Sequence, residues 1–155
     1  MLKRELPPFR GTESHMAESM KLDIITAERT VFSALIELVL APGIEGELGI
    51  LPHHAGLMTI LQPGELMIRK DGTETFFAIA GGFMEVLNNK VTILADAAEN
   101  SEEINEERAA LAMEKAQALV ASRDSDVDLE KALQQIRRAQ ARLDVARKRR
   151  IRNRR

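Results

Sequence analysis

From Ser101 to Arg155 the chain contains neither glycine nor proline, and all nine glycines and all five prolines precede that point. These are the residues that turn or stop a backbone most sharply. A chain that spends them early and then drops them must change architecture near residue 101. The first part has to turn often, as short strands do, and the second can only run on, as helices do.

The first part reads as β structure from Met20 to about Ala97. Leu22-Asp23-Ile24-Ile25-Thr26 and Leu35-Ile36-Glu37-Leu38-Val39-Leu40 are short apolar or mixed runs, and Pro42-Gly43 punctuates the second. Glu65 to Arg69 and Thr75 to Ala80 flank Asp71-Gly72, while Phe83 to Leu87 and Val91 to Leu94 flank Asn88-Asn89. Both pairs are hairpin signals, because Asp-Gly and Asn-Asn tolerate the positive φ of tight primed turns. Gly81-Gly82 marks a corner or a close backbone approach. Regularly spaced short strands predict a sandwich or barrel.

The second part predicts two helices. Ser101 or Asn105 can cap the first, with Glu102, Glu103, Glu106 and Glu107 at its positive end. Ala109, Ala112, Ala116 and Leu119 follow at helical spacing. Ser122 to Asp126 breaks the run, and Ser125 or Asp126 can cap a second helix. Leu129, Ala132, Leu133, Ile136, Ala139, Leu143 and Ala146 form its apolar stripe. The expected fold class is therefore β + α, an N-terminal β-sandwich followed by a C-terminal antiparallel two-helix hairpin. Residues 16–100 are assigned to the sandwich and 101–155 to the hairpin with its basic tail. Residues 1–15, with Pro7-Pro8 and no hydrophobic period, read as a leader or remnant. Alanine dominates the helix faces, so the hairpin buries little area and can detach from the sandwich.

Charge divides in the same place. Residues 16–103 hold 5 Lys/Arg against 14 Asp/Glu, a net of -9, and residues 104–155 hold 14 against 8, a net of +6. Opposite signs point to different partners for the two parts. Without cysteine there is no disulfide framework, and a reducing compartment fits. No apolar run is long enough to span a bilayer, so any membrane association comes through a partner or a surface.

The segment from Gly43 to Ala55 sets two carboxylates, Glu45 and Glu47, and two histidines among turn-formers. It reads as a loop–strand–loop surface built for contact. His53-His54 makes a poor metal site, since adjacent side chains of an extended segment point opposite ways. Glu45 and Glu47 have no nucleophile beside them, and Gly43, Gly46 and Gly49 lack the lysine and following helix of a phosphate cradle. The Arg-rich end, Arg147 to Arg155, offers a rival reading as a basic-tailed nucleic-acid-binding module. The acidic first part and the scarcity of aromatics, five Phe with no Tyr or Trp, count against it.

Several local pieces carry a resemblance. Glu45-Gly46-Glu47-Leu48-Gly49-Ile50, His54-Ala55, Pro63-Gly64, Gly81-Gly82-Phe83-Met84-Glu85-Val86 and Val91-Thr92-Ile93-Leu94-Ala95-Asp96 occur in this order before a helical hairpin. In this order the chain resembles the epsilon subunit of the bacterial F-type ATP synthase from roughly Met16 to Arg147. The resemblance implies a non-catalytic central-stalk subunit that couples ion-driven rotation to ATP synthesis. It lies peripherally on the cytoplasmic face of the bacterial membrane, touching it only through the complex. Its implied partners are the gamma subunit, the c-ring and the beta and alpha subunits, with no nucleic acid. Glu47 and His54 fall on positions used at the c-ring and gamma side. The hairpin, folded on the sandwich or extended along gamma, opposes ATP hydrolysis when extended. Its contact with an acidic segment of beta would use Arg147, Lys148, Arg149 and Arg150.

No cofactor is required, but some family members bind ATP in the hairpin as a regulatory ligand. Their motif, Ile or Leu, then Asp, two variable residues, Arg and Ala, matches Ile104-Asn105-Glu106-Glu107-Arg108-Ala109 except that Asn105 replaces Asp. The remaining positions fall on Glu99, Lys115, Arg138 and Arg142, with lysine at 115 where arginine is common. The plainer alternative for Arg108, Arg138 and Arg142 is surface ion pairing with Glu106, Glu107 or Asp144. Gly56 departs from the proline usual after the His-Ala pair, which loosens the φ restraint on the His54 loop.

Overall fold

The structure, a computed structural model, describes residues 18–155. The leader assigned to 1–15 lies outside the described residues. Ten strands precede two helices: β1 Met20–Ile25, β2 Thr30–Ile36, β3 Leu38–Gly43, β4 Gly46–Ile50, β5 Leu57–Leu61, β6 Gly64–Lys70, β7 Thr73–Ile79, β8 Gly82–Leu87, β9 Lys90–Ala95 and β10 Ala98–Asn100. A 3-10 turn over Ser101–Glu103 leads to α1, Glu106–Ser122, and then α2, Leu129–Asn153.

Hydrogen bonding runs in the order β10-β7-β6-β3-β5-β8-β9-β1-β2, with β4 paired to β3. β3 joins the two halves: it pairs with β6 through Leu38, Val39 and Leu40, and with β5 only through Gly43 and Leu61. The path folds back on itself there, so Phe32 of β2 and Phe77 of β7 meet edge to face with centroids 5.7 Å apart. This is a sandwich, with inward side chains supplied by alternate residues. Among the described residues seventeen buried ones form its core, including Leu22, Ile24, Leu66, Ile68, Ile79, Met84 and Ile93, and none of them belongs to a helix. The core is therefore complete without the hairpin.

Asp71-Gly72 and Asn88-Asn89 turn as their sequence predicts, all four residues at positive φ. The run from Leu35 to Leu40 does not form one strand. It breaks at Glu37, where β2 ends and the chain crosses to pair with β6. Of the helix starts, that of α1 agrees with the sequence and that of α2 differs. Asn105 caps α1, accepting from the Arg108 N–H at 2.9 Å, while Asn100 caps the 3-10 turn that Ser101 begins. Asp128 caps α2, accepting from the Lys131 N–H at 3.1 Å, not Ser125 or Asp126; in the connecting loop the Asp126 N–H donates to Asp124.

β6 and β7 are covered on both faces. Leu66, Ile68, Phe77 and Ile79 point into the core, while Glu65, Met67, Phe76 and Ala78 point outward beneath α2. Their near-continuous apolar runs are what two-sided burial requires. The hairpin is thus folded onto the sandwich, α2 inside against β6 and β7, and α1 outside against α2.

Candidate functional site

The seam between α2 and the sheet gathers most of the charged groups singled out in the sequence. Register sets its floor: Glu65 of β6, Ala78 of β7 and Glu99 of β10 stand side by side across three strands. Two carboxylates therefore flank a small residue in one row. Val145 and Ala146 of α2 pack with Ala78 and Ile104 in a small apolar cluster over it. Cations then meet the carboxylates on either side. Arg142 donates to Glu99 through Nε at 2.6 Å and Nη2 at 3.3 Å. Lys148 and Arg152 reach Glu65 at 3.6 and 3.1 Å.

The last turns of α2 continue this pattern. The Arg152 guanidinium lies over the Phe76 ring, 3.4 Å from its centroid. Arg149 donates to the Ser101 carbonyl, and Arg149 and Arg150 reach Glu106 at 3.8 and 3.3 Å. The stripe of α2 that faces the sheet therefore runs through Arg138, Arg142, Val145, Arg149 and Arg152, at alternating spacings of three and four. It is mostly arginine, so the apolar pattern cannot find it. Of the stripe predicted from hydrophobicity, Ala132, Ala139 and Ala146 are buried, but Leu129 and Leu133 are exposed. Three of the four cations assigned to a beta-subunit contact, Lys148, Arg149 and Arg150, are engaged within the chain, and Arg147 is exposed.

The eight residues of the nucleotide motif are only partly assembled. Glu99, Arg138 and Arg142 line one crevice of about 20 Å³ with Ala78 and Ala98. Arg142 takes Glu99 as its partner, not Asp144, which accepts from Gln140 instead. Asn105 is occupied as the α1 cap, and Ile104 and Ala109 are buried. Arg108 and Lys115 lie exposed on α1, in no hydrogen bond or ion pair through their side chains among the described residues. Beside the crevice, and sharing Arg138, a cleft of about 780 Å³ runs between the Gly81–Phe83 corner and the first half of α2. Lys131 and Arg137 line its helical side.

A second surface went unrecognised in the sequence. Ile60, Phe83 and Leu94 pair directly across β5, β8 and β9 on the outer face, each about half exposed (48%, 55% and 54%). Ile25 of β1 extends the row beside Leu94, and Met58 stands next to it at 71% exposure. The available signal was β8 itself, Phe83-Met84-Glu85-Val86-Leu87, in which apolar residues occupy both parities although only one face meets the core.

Glu47 and His54 are both exposed, at opposite ends of β4: Glu47 beside the Ile44-Glu45 turn, His54 in the loop beyond Ile50. That loop is held despite Gly56. The His53 N–H donates to Asn89 Oδ1 at 2.8 Å, the His54 N–H donates to the Leu51 carbonyl, and Asn89 also donates to the Ser19 carbonyl.

The order of sandwich and hairpin matches two family profiles. Residues 19–101 match the beta-sandwich domain of the ATP synthase Delta/Epsilon chain, and residues 102–147 match its long alpha-helix domain. The chain belongs to the ATP synthase delta/epsilon chain family. The resemblance read from the sequence holds in relatives as well. The ATP synthase epsilon chain of Herpetosiphon aurantiacus is 51% identical over 133 residues, covering 86% of this chain and 98% of the relative. That of Dehalococcoides mccartyi is also 51% identical, covering 84% and 94%. A chain in the mitochondrial ATP synthase of Euglena gracilis, solved as an OSCP/F1/c-ring assembly, superposes with a TM-score of 0.69. At 24% identity, over 94% of this chain and 98% of that one, the likeness is one of fold. Among the described residues no helix is long and apolar enough to cross a membrane.

Proposed function

We propose that this chain is a central-stalk subunit of a bacterial F-type ATP synthase that transmits rotation and restrains ATP hydrolysis without a catalytic site of its own. The sandwich is the coupling part. Its outer row of Ile25, Ile60, Phe83 and Leu94 is a contiguous apolar surface of the kind that marks a protein interface. In this reading the row docks on gamma, while Glu47 and His54 serve the c-ring and gamma side, and the complex is peripheral on the cytoplasmic face of the membrane. The hairpin is the regulatory part. The observation that carries this division is a sandwich core containing no helical residue, with the hairpin attached through a small, charged seam.

The test is ATP hydrolysis by an F1 complex depleted of its epsilon subunit. Full-length chain should inhibit, whereas a version ending at Ser101 should bind and not inhibit. Equal inhibition by both versions would remove the hairpin from the mechanism.

A regulatory ATP is a further part of this proposal, favoured by the convergence of Glu99, Arg138 and Arg142 beside a roomy basic cleft. The crevice itself is far too small for a nucleotide. Binding therefore requires Arg142 to leave Glu99 and the α1 side to bring in Arg108 and Lys115. Calorimetric titration with ATP should show binding that Arg108→Ala weakens at least tenfold. Unaltered affinity in that variant would dismiss the site.

A further inference from the structure

The basic end of α2 already has acidic partners inside the chain. Lys148 and Arg152 use Glu65, Arg149 and Arg150 use Glu106, and Arg142 uses Glu99. Among these contacts the one between Glu65, Phe76 and Arg152 differs in kind. The Glu65 side chain is only 15% exposed, receives two cations, and lies on the sheet face beside the ring that carries the guanidinium. A carboxylate and an aromatic face together make a receptor for a planar cation: the carboxylate accepts in the plane of the guanidinium, and the ring covers its face. Arg152 fills that receptor from the last turns of α2, while Glu65 stands beside Ala78 at the border of the apolar cluster.

We propose that Glu65 and Phe76 form a guanidinium-receiving clasp that sets the folded position of the hairpin, and that acidic peptide segments compete with it for the same cations. The inference rests on the reading that the hairpin moves. Its basis in the geometry is that the apolar contact is small. Among the described residues its buried cluster is Ala78, Ile104, Val145 and Ala146, with Met67 and Ala141 also buried at the seam, and alanine has few carbons to remove from water. The charged contacts must then hold much of the register of α2 on the sheet. One cation cannot serve Glu65 and an external carboxylate at full strength together, so binding of an acidic segment and release of the clasp are linked. Arg152 also holds a buried Nη2 with no hydrogen-bond partner among the described residues, so the clasp satisfies its guanidinium incompletely. A carboxylate offering two oxygens in a fork could satisfy it better.

The chain lacks cysteine, so Glu28→Cys on the sandwich and Ala118→Cys on α1 would carry the only spin labels. Distances between them would be measured by pulsed electron resonance on the full chain. At low salt the parent should give one short population. Glu65→Gln and Arg152→Ala should each raise the long-distance population about fivefold, as expected for loss of a partly buried charge pair. Arg152→Lys, which keeps the charge but loses the planar fork, should fall between. A decameric glutamate peptide should open the parent, and a serine decamer should not. Helical circular dichroism must be retained in each variant, which separates a released hairpin from an unfolded one. If the parent opens with salt while Glu65→Gln and Arg152→Ala open no more than it does, the clasp is overturned and the moving hairpin survives. If the parent never opens, even at high salt or with the glutamate peptide, the moving hairpin itself is overturned.

Discussion

Asp23 on β1 is held from several sides. Its carboxylate accepts from Ser33 Oγ at 2.6 Å and pairs with Lys90 at 3.2 Å and Lys21 at 3.8 Å. The Ser33 hydrogen bond is the largest cause of a pKa below the ordinary carboxylate range. Partial burial works against it, and Lys90 and Lys21 add to the lowering. A depressed folded pKa means stability that is present above the unfolded pKa and lost as pH falls through the folded one. Ser33→Ala should therefore cost about 1 kcal/mol in urea unfolding at neutral pH. That difference should shrink as pH falls through the folded-state pKa, below which Asp23 is protonated in both states. At Gly82 the constraint is steric. With φ at +141°, an added Cβ would lie 2.1 Å from the Leu94 carbonyl oxygen and 2.9 Å from Ala95 Cα, both main-chain atoms. Gly82→Ala should cost roughly 3 kcal/mol or more, read as a lowered urea midpoint. The Gly-Gly pair announced such an approach in the sequence. The double role of Asn89 in pinning the His53 loop and the entry to β1 did not, since it depends on partners 36 and 70 residues away.

The helices show where reading by element succeeds and where it stops. Loss of glycine and proline was enough to place a hairpin, and the α1 cap, Asn105, was among the residues named for it, whereas the α2 cap was legible only as a residue type. Positional caps depend on local competition: Asp124 takes up the Asp126 N–H, leaving Asp128 to start α2. The charged stripe of α2 was illegible for a deeper reason. Arginine scores as a surface residue, yet its stem packs on apolar surface while its head finds a carboxylate. Of Arg142, Arg149 and Arg152, each has a side chain at most 31% exposed. Between the helices the contact is close-packed on alanine, with Ala109, Ala116, Ala132 and Ala139 buried. Ala116→Leu should force the pair apart and cost about 1–3 kcal/mol of helical stability. The expected signature is a lower melting temperature for the 222 nm helical signal while the sandwich core unfolds as before.

At the scale of the molecule, two surfaces lie on opposite layers of one sandwich. The β6–β7–β10 layer carries the hairpin, and the β5–β8–β9–β1 layer carries the exposed apolar row. The row nevertheless reaches the hairpin at one end, where Ile60 and Phe83 line the cleft with Lys131 and Arg138. Phe83→Asp should leave the melting temperature within a few degrees, because Phe83 lies outside the core, and should weaken binding to a purified gamma subunit at least tenfold. Retained affinity would move the docking face elsewhere. Alternation revealed the inward residues of these strands. It gave no sign of which outward ones a partner covers, since that information belongs to the partner.

The parallel pairing of β1 with β9, Lys21 opposite Lys90 through Ile25 opposite Leu94, has a consequence in time. It joins the start of the sandwich to nearly its last strand. On a ribosome, β1 can zip to β2 within moments, but its other edge stays open until β9 has been synthesised and has left the exit tunnel. At about 5–20 residues per second that interval lasts several seconds. Throughout it the nascent chain displays an unsealed strand edge rich in isoleucine and leucine, a template for the wrong neighbour. Folding of the sandwich is therefore gated by that late closure, and the hairpin, which emerges after it, settles on a surface that has only just been completed.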